Sequence, residues 1–277
     1  YFPGNFGLLM PDAGPGAANV RESLANVDPG ACFERDGVEL QTGTIASIRQ
    51  AVNTRFDLYE GPFNKNQSKY RPAENVTKGY MPGNGNNVCK PLLDETKAMP
   101  LPLDDCSTGG CGTLGDNDSN HVWGNGNWDF DAYWDMNHGN RDGIANDSPP
   151  HSWSNGNLPT RYEVYRHEVE TPAIPDQTLA GGEDGTPQCY TGGVDPNDDP
   201  DRRIIYAAVL NCGELAIKGG STDSVPAEAF LKMFITRPMT HIPGNEDEDG
   251  SIFVEIVDVV KPGVDDEVVH DIVQLYR

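Results

Sequence analysis

The sequence predicts an α+β fold, with a mostly antiparallel sheet, a few short helices and long loops, in a single domain over residues 1–277. Three observations predict it. Two apolar patterns of helical period lie within residues 1–60, and Val- and Ile-rich runs crowd after residue 160. The 31 Gly and 22 Pro are spread along the chain rather than gathered into one linker. Apolar residues are 36% of the total, so the core has to come from a few short segments. The expected layout is a helical start at 1–60, a loop-rich segment at 61–160 and a strand-rich part at 161–277.

In GPGAANVRESLAN, Ala17, Val20, Leu24 and Val27 share one face after a Gly-Pro start, which predicts a helix over 16–26. In TIASIRQAVNTRFDLY, Thr44 supplies a cap and Ile45, Ile48, Val52 and Phe56 repeat every three or four residues, a second helix for the same core. From Glu60 to Thr160, Gly, Asn, Pro and Asp dominate around scattered apolar residues such as Leu92, Leu93 and Val122. This reads as mostly loop, and so long a loop needs disulfides, a cation or neighbouring subunits to hold it.

RYEVYRHEVE sets Tyr162, Val164 and Arg166 against Glu163, Tyr165 and His167, a period of two that reads as a strand. The unbroken run Ile204 to Leu210, just before Cys212, reads as a central strand buried on both faces. AFLKMFITRPM is read as a strand leading into Pro238, with a helix as the alternative. SIFVEIVDVV and EVVHDIVQLY read as two further strands about the turn KPGVDD. Helices are thus expected before residue 60 and strands after residue 160.

Acidic side chains outnumber basic ones 43 to 20, for a net charge of −23. Such a charge repels phosphate backbones and anionic lipid, which excludes nucleic-acid binding and favours cations, a basic partner or a plain solvated surface. Six cysteines fit three disulfides and not the spacing of zinc sites. Cys106 and Cys111 stand close enough across Ser-Thr-Gly-Gly to close a small loop, leaving Cys32, Cys89, Cys189 and Cys212 for longer bridges of open pairing. Paired cysteines imply an extracytoplasmic location in periplasm, at the cell surface or secreted; free thiols in the cytosol are the alternative. No run approaches the roughly 18 apolar residues that span a bilayer, and the opening at Tyr1 is read as that of a processed or truncated product.

Three oxygen-rich stretches are candidate calcium loops, since calcium takes several carboxylate and amide oxygens. The first holds Asp116, Asp118 and Asn120, with Asp129 and Asp131 nearby; His121 and Asn127 stand where an EF-hand needs Gly and Glu. The second holds Asp195, Asn197 and Asp199, and the third Asn245, Asp247 and Asp249 before Gly250. Their plainer readings are Asp/Asn turns, a charged loop and a hairpin turn. The six histidines form no paired metal-ligand spacing, and no haem, nucleophile-elbow or phosphate-loop motif occurs. No organic cofactor is expected. Trp123, Trp128, Tyr133, Trp134 and Trp153 cluster among Asn, Asp and Gly, a mixture that forms a loop core or stacks on sugars.

Several segments resemble one family. GNFGLL at 4–9, followed by GAANVRESLAN, resembles the GNFG segment and helix of TadG-like proteins of tight-adherence (Flp) pilus systems. IRQAVNTRFDLY at 48–59 is similar to that family's R-Q-G-x-N-T-R-F block, with Ala51 where Gly is common. The stretch from Asp131 through AYWDMNH and TRYEVYRHE, the segment DRRIIYAAVLNC and the ending HDIVQLYR are also similar. The resemblance implies a non-catalytic pilus-assembly or surface-structure role among other envelope or pilus subunits. Membrane contact would come only through an N-terminal anchor of the kind family members carry. A homo-oligomer or filament is a further expectation; a secreted carbohydrate-binding or adhesive module and a secreted hydrolase are the alternatives.

Overall fold

The computed structural model describes residues 7–9, 17–26, 38–42, 45–65, 67–74, 79–80, 90–91, 101–108, 112–113, 122–138, 148–153, 158–171, 197, 199–210, 222–239 and 252–260. The fold is α+β. Its helices are α1 (Ala17–Ala25), α2 (Ile45–Asn53), α3 (Phe130–His138) and α4 (Arg161–Glu170). Strands β1 (Gly7–Leu9), β2 (Val38–Thr42) and β8 (Thr222–Val225) form one antiparallel sheet in the order β1-β2-β8. Strands β7 (Ile204–Val209), β9 (Ala229–Ile235) and β10 (Val254–Val260) form the other, in the order β10-β9-β7. Two short ribbons pair β3 (Gly79–Tyr80) with β4 (Lys90–Pro91) and β5 (Gly112–Thr113) with β6 (Val122–Trp123).

The first two helices form where their apolar spacing predicts. Val20 of α1 and Ile48 and Val52 of α2 are buried. After α2 the chain tightens into a 3-10 turn, Thr54–Phe56, and stops at Asp57, whose φ of 59° breaks the helix.

Strand β9 organises the core. Neighbouring residues on a strand face opposite ways, so Phe234 enters one apolar cluster, with Trp128, Tyr133, Tyr162 and Tyr165, while Ile235 enters another, with Ile48, Val52, Phe56 and Met239. The central strand buried on both faces is therefore β9. Strand β7 was expected there, but among the described residues it pairs on one side only and is half-buried beyond Ile204.

Two further expectations are overturned. Arg161–Glu170 is a helix, because a capping box closes its first turn: Thr160 Oγ1 accepts from Glu163 N at 3.1 Å, and Glu163 Oε2 accepts from Thr160 N at 2.8 Å. The placement of the helices before residue 60 fails as well, while among the described residues the longer strands do lie after residue 160. Helices α3 and α4 lie beyond residue 60, and β1 and β2 lie before it. Within 61–160 the residues Phe63, Tyr70, Leu101, Trp128, Phe130, Tyr133 and Trp134 are buried, so large aromatic anchors supply what the sparse aliphatic residues do not.

Candidate functional site

The residues that join these elements are four arginines and one buried acid–histidine network. Arg55 and Arg202 close the C-terminal end of α1, where helix carbonyls lack partners and the dipole is negative. Arg55 donates from Nη1 to Leu24 O; Arg202 donates from Nη2 to Ala25 O at 2.8 Å, from Nη1 to Asn26 O at 3.1 Å and from Nε to Arg71 O at 2.8 Å. Burial pushes the Arg202 guanidinium down to about 10, and burial together with the nearby Arg202 charge pushes Arg55 down as well. Arg202 keeps its charge at neutral pH, and the α1 carbonyls are what it sits against.

Arg203, next in sequence, turns the other way. Its guanidinium carbon lies 4.8 Å from the Phe56 ring centre, 4.7 Å from Tyr165 and 4.6 Å from Phe234. Its Nε and Nη2 donate to Ile235 O and Thr236 O at 3.0 and 2.9 Å. A planar cation between rings, with its edge on backbone carbonyls, is geometry that Arg offers and Lys does not.

The fourth joint is Arg161, at the start of α4. It donates to Pro102 O at 2.7 Å, Asp104 Oδ1 at 2.6 Å and Glu255 Oε1 at 3.2 Å, and lies over Trp128. Asp104 Oδ2 also accepts from Gly126 N at 2.7 Å, and Asp105 N donates to Asn127 O at 2.9 Å, which seats the GNGN loop on the 101–108 segment.

Between α3 and α4 the Glu168 carboxylate accepts from the Tyr133 hydroxyl at 2.9 Å and meets His138 Nε2 at 2.8 Å. Trp134 stacks on His138 at 3.9 Å, and Trp153 meets Trp134 and His167 edge-on. The side chains of His138 and Glu168 are 1% and 2% exposed, so the network sits beneath the rings rather than in a cleft that admits substrate. The network ties α3 to α4.

The predicted site residues divide sharply. Trp128, Tyr133 and Trp134 are core residues, and Trp153 is a half-buried rim residue packed on them. Trp123 lies in β6, and its side chain is outside the described residues. Asp129 caps α3, its Oδ1 accepting from Ala132 N at 3.0 Å; Asp131 is exposed in the first turn, where the helix dipole favours an acid. Asn197 Oδ1 accepts from Asp199 N at 3.1 Å, and Asp199 Oδ1 accepts from Asp201 N at 2.9 Å, a chain of turn bonds leading into the 3-10 turn before β7. Asp116, Asp118, Asn120, Asp195, Asn245, Asp247 and Asp249 lie outside the described residues. Among the described residues, no group of three or more His, Cys, Asp and Glu is placed to hold a metal ion.

Cys106 is disulfide-bonded, while Cys32, Cys89, Cys111, Cys189 and Cys212 lie outside the described residues. No described helix is long and apolar enough to cross a membrane. Sequence reading missed Arg55, Arg161, Arg202, Arg203, His138 and Glu168. The one local signal for any of them was the T-x-x-E of Thr160 to Glu163, which marks α4 and hence the placement of Arg161 and Glu168.

The fold and its joints define an α+β domain whose buried charges hold elements together. No family model, curated protein or solved structure matches the chain, so its function is read from its own residues.

Proposed function

We propose that this chain is a non-catalytic structural or assembly component of a bacterial surface system of the tight-adherence pilus type, working outside the cytoplasm against other envelope or pilus subunits. The observation that carries the reading is the meeting of the resembling segments in one core. Phe56 of NTRF, Tyr165 of RYEVY and Arg203 of DRR share a single cage, with distances of 4.8 and 4.7 Å from the guanidinium to the two rings. Arg55 and Arg202, from two of the same segments, close α1. The contacts these segments make are packing and helix-closing contacts, which suits a scaffold. The net charge of −23 suits a protein that stays soluble and meets basic partners.

The test is deletion of the gene in its native host, scored by electron microscopy of the surface and by adherence. Loss of pili, restored by the intact gene, is the expected result; normal piliation rejects the reading. Self-association belongs to the same proposal and is measured by sedimentation across a range of concentrations. Calcium enters as a stabiliser of the loops holding Asp116, Asp118, Asn120, Asn245, Asp247 and Asp249. A ligand bound only by the folded state raises the unfolding temperature, so a calcium-dependent rise reversed by chelator is its measurement.

A further inference from the structure

We draw no further inference here: the strongest candidate, the exposed apolar row of Ile252, Val254, Ile256 and Val259 on β10 and its approach, carries nothing because nothing in the structure shows what covers it.

Discussion

Glu255 Oε2 accepts the backbone N–H of Tyr162 at 3.0 Å, so a carboxylate on β10 caps a helix that begins 94 residues earlier in the chain. Its Oε1 takes the Arg161 N–H at 3.1 Å and the Arg161 guanidinium at 3.2 Å. An acid at this end of α4 meets both unpaired amides and the positive end of the helix dipole. Charged hydrogen bonds of this kind contribute about 1.5–3 kcal/mol each when one partner is deleted. Glu255→Ala is expected to cost about 3 kcal/mol, and Thr160→Ala, which removes only the local cap, about 1 kcal/mol. Urea unfolding of the two variants checks the order; equal losses would mean that the strand does not anchor the helix.

Arg203 is expected to tolerate an apolar replacement better than a short one. Its stem and ring contacts to Phe56, Tyr165 and Phe234 are packing, and only Ile235 O and Thr236 O lose donors when the guanidinium goes. Arg203→Ala opens a cavity under three rings and should cost about 3 kcal/mol or more. Arg203→Met fills most of that space and avoids burying a cation, so its loss should be less than half as large. Thermal unfolding of both variants decides: a Met variant as unstable as the Ala variant would show that the charge, not the shape, holds the site.

The GNGN loop offers a paired test of two glycines. A Cβ at Gly124 would lie 1.8 Å from Asp104 Oδ2, whereas a Cβ at Gly126 meets nothing within 4 Å but sits at φ +76°. Gly126→Ala should therefore cost about 1 kcal/mol of backbone strain. Gly124→Ala has to displace the carboxylate that Arg161 and Gly126 share, and should cost about 2 kcal/mol or more. Combining it with Asp104→Ala should cost less than the sum of the two single changes, because the clash partner has gone. Strict additivity in a double-mutant cycle would rule out the contact.

Helices α1 and α2 and strand β9 were legible because their burial is local: Val20, Ile48 and Val52 repeat at helical spacing, and β9 is dense in large apolar residues. Helix α4 was not, because Tyr162, Val164 and Arg166 alternate like a strand while the side chains that decide, Thr160 and Glu255, lie outside that window. Strand β7 misled for the converse reason. Its run Ile204 to Val209 is apolar enough for the middle of a sheet, but the middle position went to β9, which fills both faces with Phe234 and Ile235. The joints at Arg55, Arg202 and Arg203 were invisible because their hydrogen-bond partners are backbone carbonyls, which any residue carries.

A pH dependence follows from Tyr162. Burial first, and then the hydrogen bond and charge of Asp201, hold its hydroxyl far above the ordinary tyrosine range; Lys232 Nζ grips the other oxygen of the same carboxylate at 2.9 Å. The folded state therefore keeps this proton where the unfolded chain gives it up. The contribution to stability is complete below the unfolded value of about 10 and shrinks as pH rises beyond it, since the native state then binds more protons than the unfolded one. Tyr162→Phe removes the titration together with the bond to Asp201. The variant should be less stable than the parent at about pH 8, and the difference should narrow toward about pH 11. Urea midpoints measured across that range test the sign, and curves that run parallel would show that Tyr162 ionises with ordinary ease in the folded chain. Subtracting one curve from the other cancels the other tyrosines, including Tyr70, whose hydroxyl burial and Glu22 also raise. A narrowing gap then belongs to the joint between α4 and the turn before β7.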